Sequence, residues 1–275
     1  MKEMTTREIQ MVCLDILKDI HVFCVENDIK YSLSGGSLLG AIRHKGFIPW
    51  DDDADIQMPR PDYDRFIHSY KSNNGFKLYS HEIENGDKVL TRIARVCDNE
   101  RTYVDQGPEP TIGEKVGVWV DVIPVEGAPE FYKDAQRYIK MMRRGDIMMG
   151  CLWAKHASIK EFRKFPSKVK RLKFFTKKMI GFFIKDTYIQ NYIDRAKTYD
   201  YVSSKYMCAT PHYRMREWQP KDCMKNYILH EFEDTELYIM SGYADNLHSL
   251  FGNNYMKLPP ESKRITHNSQ RRYWK

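Results

Sequence analysis

Asp51, Asp53 and Asp55 stand at alternate positions in Pro49-Trp50-Asp51-Asp52-Asp53-Ala54-Asp55-Ile56-Gln57-Met58. In an extended segment side chains alternate between faces, so these three carboxylates share one side at intervals of about 6.5–7 Å while Ala54 and Ile56 turn to the core. Like charges packed this closely are costly unless a cation neutralises them, and hard oxygen ligands at this density suit Mg²⁺ or Mn²⁺. The same acids are compatible with a solvated loop or a calcium site. An EF-hand is disfavoured, because its loop needs a glycine and a closing glutamate where this chain continues Ile56-Gln57-Met58-Pro59.

A second feature lies just upstream. Tyr31-Ser32-Leu33-Ser34 alternates like a short strand, Gly35-Gly36-Ser37 breaks it, and Leu38 to Ile42 resumes a helical pattern. A strand, a glycine turn and a helix start make an anion seat: glycines let backbone approach a phosphate, and Ser37 is expected to cap the helix and donate its hydroxyl. The same pattern also describes an ordinary turn with a capped helix. Arg43, His44 and Lys45 form a cationic corner beside the seat, and Arg43 could hold a phosphate through two parallel hydrogen bonds. Further on, Asp121 is a lone acid in the apolar run Gly117 to Pro124; if buried it needs a metal or a cation as partner, the alternative being an edge-strand acid that faces water. Arg92 and Arg95 differ in parity on an expected strand from Val89 to Val96, so one of them reaches a phosphate or Asp121; Arg92 is the expected phosphate ligand.

The run from Gly35 to Ile56 resembles the signature of the LicD family, bacterial phosphocholine transferases of cell-surface polysaccharides related to fukutin-type ribitol-phosphate transferases. The resemblance returns at Glu236 to Met240, Tyr243 to Leu247 and Leu250 to Pro260, where Phe251 replaces a usual Tyr and Asn253-Asn254 a single Asp. It implies an α+β fold of the polymerase-beta-like nucleotidyltransferase type, a mixed sheet flanked by helices, with a catalytic core at residues 1–128 and a mostly helical region at 129–275 completing one domain. It also implies catalytic Asp53, Asp55 and Asp121, which with Asp51 hold one or two Mg²⁺ or Mn²⁺ ions, Asp121 being the acceptor of the incoming hydroxyl's proton. Gly35, Gly36, Ser37, Arg43, His44 and Arg92 are the expected phosphate and nucleotide contacts. The implied donor is a CDP-alcohol such as CDP-choline, releasing CMP, and the acceptor a glycan or lipid-linked glycan. Ribitol- or glycerol-phosphate transfer, a small-molecule nucleotidyltransferase releasing pyrophosphate, an Asp-x-Asp glycosyltransferase and a non-catalytic binding protein are the alternatives.

Choline recognition calls for aromatic faces, for which Trp119, Trp153, Trp218 and Tyr213 are available; Arg264 and His267, just beyond the Pro-Pro segment, are either further substrate contacts or part of a mobile tail.

The elements that must position these groups are legible too. Thr5 and Glu8 form a capping box ahead of a helix whose apolar face runs Ile9, Val12, Ile16, Leu17, Ile20, Phe23 and Cys24. Pro61 opens a helix after the acids, and long helices are expected from Pro129 to His156 and from Asp186 to Tyr201. Between those two, residues 165–185 carry Phe165, Val169, Leu172, Met179 and Phe183 on one face among lysines, which suits either packing on the protein's own core or an anionic membrane surface.

The 275 residues suffice for one full core, and the net charge of +7 favours nucleotides, anionic glycans or lipid headgroups as partners. No nucleic-acid-binding signature occurs, so nucleic acid is not an expected partner. The six cysteines lack Cys-x-x-Cys or zinc spacing and are expected to be reduced. With no evident signal peptide and no long apolar run, we expect a cytoplasmic protein, either free or peripheral on the inner membrane face.

Overall fold

The computed structural model describes residues 1–83, 92–105, 116–157, 165, 167–209, 214–266 and 270–275. Its first part runs β1 (Lys2–Glu3), α1 (Thr6–Glu26), β2 (Ser32–Leu33), α2 (Gly35–His44), β3 (Asp55–Pro59), α3 (Arg60–Ser69), β4 (Lys77–Tyr79), β5 (Ala94–Asp98), β6 (Thr102–Asp105) and β7 (Val118–Ala128). There follow α4 (Tyr132–His156), α5 (Lys168–Gly181), α6 (Tyr188–Ala196), β8 (Tyr206–Ala209), β9 (Trp218–Pro220), β10 (Tyr227–Phe232), β11 (Thr235–Met240), α7 (Tyr243–Phe251) and β12 (Arg271–Trp274).

The architecture is α+β. The main sheet runs β2-β3-β7-β5-β4, with β8 and β9 continuing from the far end of β7. β7 is its spine because its length serves three partners: β3 lies parallel to it, β5 antiparallel along its first half, and β8 antiparallel along its last four residues. Its residues Val118, Val120, Val122 and Val125 are buried, as expected of a central strand covered on both sides. α1 packs on β7 and β11. Thr5 and Glu8 close the capping box reciprocally, and Leu14, Ile16, Leu17 and Ile20 are fully buried, each contributing roughly 1.5–3 kcal/mol of burial.

The region after residue 129, expected to be mostly helical, carries α4, α5, α6 and α7 together with strands that return to the sheets. β8 and β9 extend the main sheet, β10 and β11 form a hairpin, and β12 pairs with both β1 and β6. β8 and β12 are short and pair with strands far away in sequence, which local periodicity does not reveal. Of the two readings of 165–185, packing on the protein's own core holds only for Phe165, which meets Phe174 beside α4; Val169, Leu172 and Met179 of α5 and Phe183 just after it are exposed. No described helix is long and apolar enough to cross a membrane. All six cysteines are free and buried.

A buried ionic cluster ties the core to the helices. Arg60, at the start of α3, grips both carboxylate oxygens of Glu126 on β7 and donates to Asp64 and Glu82 at 3.0 and 3.1 Å. Lys197, just past α6, meets Glu82 from the other side.

Candidate active site

The glycine turn and the acids meet at one end of β3. Ser34 takes the extended conformation that precedes α2 and is its cap residue, correcting the expectation for Ser37. Its amide donates to Asp55 O at 2.9 Å, and its hydroxyl to Gln57 Oε1 at 3.0 Å. Ser37, inside the helix, accepts the Asp55 amide at 3.0 Å. Two serines thus fasten the start of α2 to the strand that carries Asp55.

Both glycines are needed where they stand. Gly35 has φ +51°, a left-handed conformation that only glycine adopts without strain. A Cβ on Gly36 would come within 2.6 Å of Asp51 Oδ2. The start of α2, whose first amides have no partner within the helix, therefore packs closely against the Asp51 and Asp55 side chains.

Strand β3 begins only at Asp55, so Asp51 to Ala54 are not the regular strand expected from the alternation. The acids converge nonetheless, with Ala54 and Ile56 buried behind them. The loop is held from outside: buried Gln10 of α1 donates to Ile48 O and Asp51 O at 3.1 and 2.8 Å. Glu233, at the tip of the β10/β11 hairpin, receives the Phe47 amide at 3.0 Å and pairs with Arg7. One carboxylate oxygen of Asp52 is held in a buried ion pair with Arg272 of β12.

Asp55 sits directly opposite Asp121 in the parallel register of β3 and β7. On the other side of β7, Arg95 is opposite Asp121 and its Nε donates to Asp121 Oδ1 at 2.7 Å. The cation paired with Asp121 is thus Arg95, not Arg92. Arg92 instead binds Tyr192 Oη at 2.6 Å and Asp146 at 2.9 Å, on the helical side, which removes it from the expected phosphate contacts. It falls outside β5, so strand parity did not govern it. Trp119 is buried beneath the Arg95 guanidinium, 4.4 Å from its ring centre, and supports that arginine.

Burial first, and then mutual repulsion, raises the proton affinity of the acids. Asp51 is pushed up to about 8 by desolvation and by Asp53, to which it donates a hydrogen bond. Asp53 is raised by burial, with Asp121 and Asp52 adding to it and the bond from Asp51 opposing. Asp55 rises well above the usual range through burial and then through Asp53, Asp121 and Asp51, against Arg95. Carboxylates that resist ionisation this strongly make a site that a divalent cation would relieve. Oxygens of Asp51, Asp52 and Asp53 lie within 4.8 Å of one another, a hard donor set that fits Mg²⁺ or Mn²⁺.

A cavity of about 470 Å³ opens over these groups, lined on one side by Gly36, Arg43, Trp50, Asp51, Asp53 and Asp55. It is also lined by Phe251, the last residue of α7, and by Asn254, Tyr255, Lys257, Pro259 and Lys263 in the segment that follows. Arg43 Nη1 donates to Tyr255 O at 2.8 Å and Lys257 O at 3.4 Å, joining the two parts of the lining. His44 packs edge-on against Trp50, and burial and Arg43 depress its basicity. The Arg264 guanidinium stands over Trp50, 5.5 Å from its ring centre. His267 and Tyr213 lie outside the described residues. Trp218 stacks on Tyr206 and donates to Pro129 O, and Trp153 packs with the α4 and α6 cluster, so neither lines this cavity. The aromatics that do are Trp50, Phe251 and Tyr255. Lys257 and Lys263 on this wall are not among the expected site residues; Lys257 falls within the Leu250 to Pro260 resemblance and Lys263 just beyond it.

A family model described as LicD/FKTN/FKRP, nucleotidyltransferase domain, matches residues 28–109. Over 278 aligned residues the chain is 31% identical to the lipopolysaccharide cholinephosphotransferase LicD of Haemophilus influenzae, with 99% of each protein covered. Two uncharacterised Rickettsia proteins share shorter stretches. That of Rickettsia typhi is 47% identical over 82 residues, 30% of this chain and 25% of its own. That of Rickettsia prowazekii is 49% identical over 47 residues, 17% and 18% of the two chains.

Proposed function

Since the chain belongs to the LicD family of transferases, we propose that it moves a phosphoalcohol group, phosphocholine from CDP-choline, onto a hydroxyl of a lipopolysaccharide-type glycan or its lipid-linked precursor, with release of CMP. The observation that carries this reading is the union of the acid cluster, the glycine-led start of α2 and the basic, aromatic wall of 251–263 around one cavity.

Asp51, Asp53, Asp55 and Asp121 would hold Mg²⁺ or Mn²⁺. Such an ion, when bound, supplies charge neutralisation on the diphosphate and a lower pKa for the acceptor hydroxyl. The chain's own groups do the rest. The first amides of α2, at Gly35, Gly36 and Ser37, face the diphosphate. Arg43, Lys257 and Lys263 supply positive charge along the cavity, and Arg43 fixes the 255–257 backbone as its wall. Asp121, held in place by the Arg95 guanidinium, takes the acceptor's proton. Trp50, Tyr255 and Phe251 offer the faces that a quaternary ammonium requires. The site thus draws on both 1–128 and 129–275.

The test is metal-dependent product release from CDP-choline, CDP-ethanolamine, CDP-ribitol, CDP-glycerol, CTP and UDP-glucose. CMP from CDP-choline, abolished by chelation, is the expected result. CMP from CDP-ribitol or CDP-glycerol alone would reassign the alcohol, and pyrophosphate from CTP or UDP from UDP-glucose would overturn the transfer reaction itself.

A further inference from the structure

α5 is held to α4 along one side only. A Cβ on Gly181 would strike Cys151 O at 2.2 Å, which brings the two helices close, and Phe174 is only 2% exposed. Lys178 Nζ donates to the carbonyls of Ala154, Lys155 and Ala157 at 3.0, 2.9 and 2.6 Å, satisfying the end of α4.

The opposite side carries an apolar stripe in the open. Val169 is 64% exposed, Leu172 67%, Phe175 54% and Phe183 87%, with Met179 and Ile180 between them. Single exposed apolar residues are ordinary, but a contiguous row along α5, about 21 Å long, and the turn that follows it, where Phe183 stands, marks a contact surface. Lys168, Lys170, Lys173 and Lys185 are exposed around it, and no acid occurs between residues 165 and 185.

From this we infer that the outer face of α5 docks on an anionic lipid surface, its apolar stripe entering the headgroup boundary while the flanking lysines meet lipid phosphates. The charge decides between occupants. A two-fold contact with a second copy would set this unrelieved row of lysines against itself, whereas an anionic bilayer complements it. A short apolar stripe and a basic fringe are together the two signals that reversible membrane attachment requires. The inference rests on α5 alone and stands whatever alcohol the active site transfers.

The test is co-sedimentation of the full chain with vesicles of phosphatidylglycerol and phosphatidylcholine, compared with phosphatidylcholine alone. Binding is expected on the anionic vesicles, falling with added salt. The double variant Leu172→Glu, Phe183→Glu should lower the partition coefficient at least about tenfold. Its thermal midpoint and its CMP release from soluble CDP-choline should stay unchanged, since both side chains point away from the fold. Equal partitioning of the double variant and the parent protein would overturn the inference, as would an absence of binding to anionic vesicles. So would a dimer in light scattering that Phe183→Glu dissolves, because the stripe would then be covered by a second copy.

Discussion

Asp55 and Asp121 face each other across the parallel pairing of β3 and β7, and Arg95 closes on Asp121 from the far side of β7. Two carboxylates and one guanidinium thus stand side by side on neighbouring strands, leaving the acids of the cluster in charge excess. Several consequences of that excess can be measured.

Asp51, Asp53 and Asp55 hold their protons more tightly in the folded protein than the ordinary value of 3.8, Asp51 up to about 8. Below about pH 4 the stabilising effect of this uptake is complete. As pH rises the unfolded chain gives up protons that the folded site retains, so metal-free protein loses stability progressively until about pH 8. A divalent cation removes this penalty. Thermal melts with and without EDTA should show Mg²⁺ or Mn²⁺ raising the midpoint more at pH 8 than at pH 5, and a metal effect independent of pH would contradict this account of the cluster.

Asp53→Asn removes a charge without changing shape. Turnover should fall on the order of 10³-fold, while the metal-free protein becomes more stable at pH 8 than the parent. Opposite movements of activity and stability mark a residue kept for chemistry; a less stable Asp53→Asn protein would mark it as structural.

Gly36→Ala places a methyl group 2.6 Å from where Asp51 Oδ2 now lies. The carboxylate end can swing away, so the fold should survive. Turnover should drop about 100-fold from the misplacement, with weaker metal binding by calorimetry. Near-parental kinetics would show that Asp51 needs no fixed position.

Gln10 touches no substrate, yet its amide holds the Ile48 and Asp51 carbonyls. In Gln10→Leu those buried carbonyls lose their donor, costing about 1–3 kcal/mol of stability. Because the acid loop loosens, kcat should fall, and the half-saturating metal concentration should rise. Destabilisation with unchanged metal dependence would confine Gln10 to a packing role.

Arg60→Ala should be the most destabilising of these changes, by about 3–5 kcal/mol, because it strands the carboxylate of buried Glu126. Arg60→Met with Glu126→Leu should recover much of that loss in denaturant unfolding. A double variant no better than the single would show that the pair contributes through geometry rather than charge balance.

The sequence by itself determined what local chemistry can determine. The capping box at Thr5 and Glu8, the long helix ending at His156, the spine strand around Asp121, and the pairing of glycines with acids all follow from spacing and residue type. Asp51, Asp53 and Asp55 needed no partner to be recognised, since their density alone is costly. Tertiary structure decided everything that depends on which strangers meet. Register, not parity, gave Asp121 to Arg95 and sent Arg92 to Tyr192 and Asp146. Long-range pairing brought Arg272 to Asp52 and Glu233 to the loop before the acids. Chain return carried residues 251–263 over the cavity and supplied its aromatics and lysines. The physical reason is one of range: capping, alternation and like-charge crowding act within a few residues. The partner of a buried charge, by contrast, is fixed only once distant strands have paired.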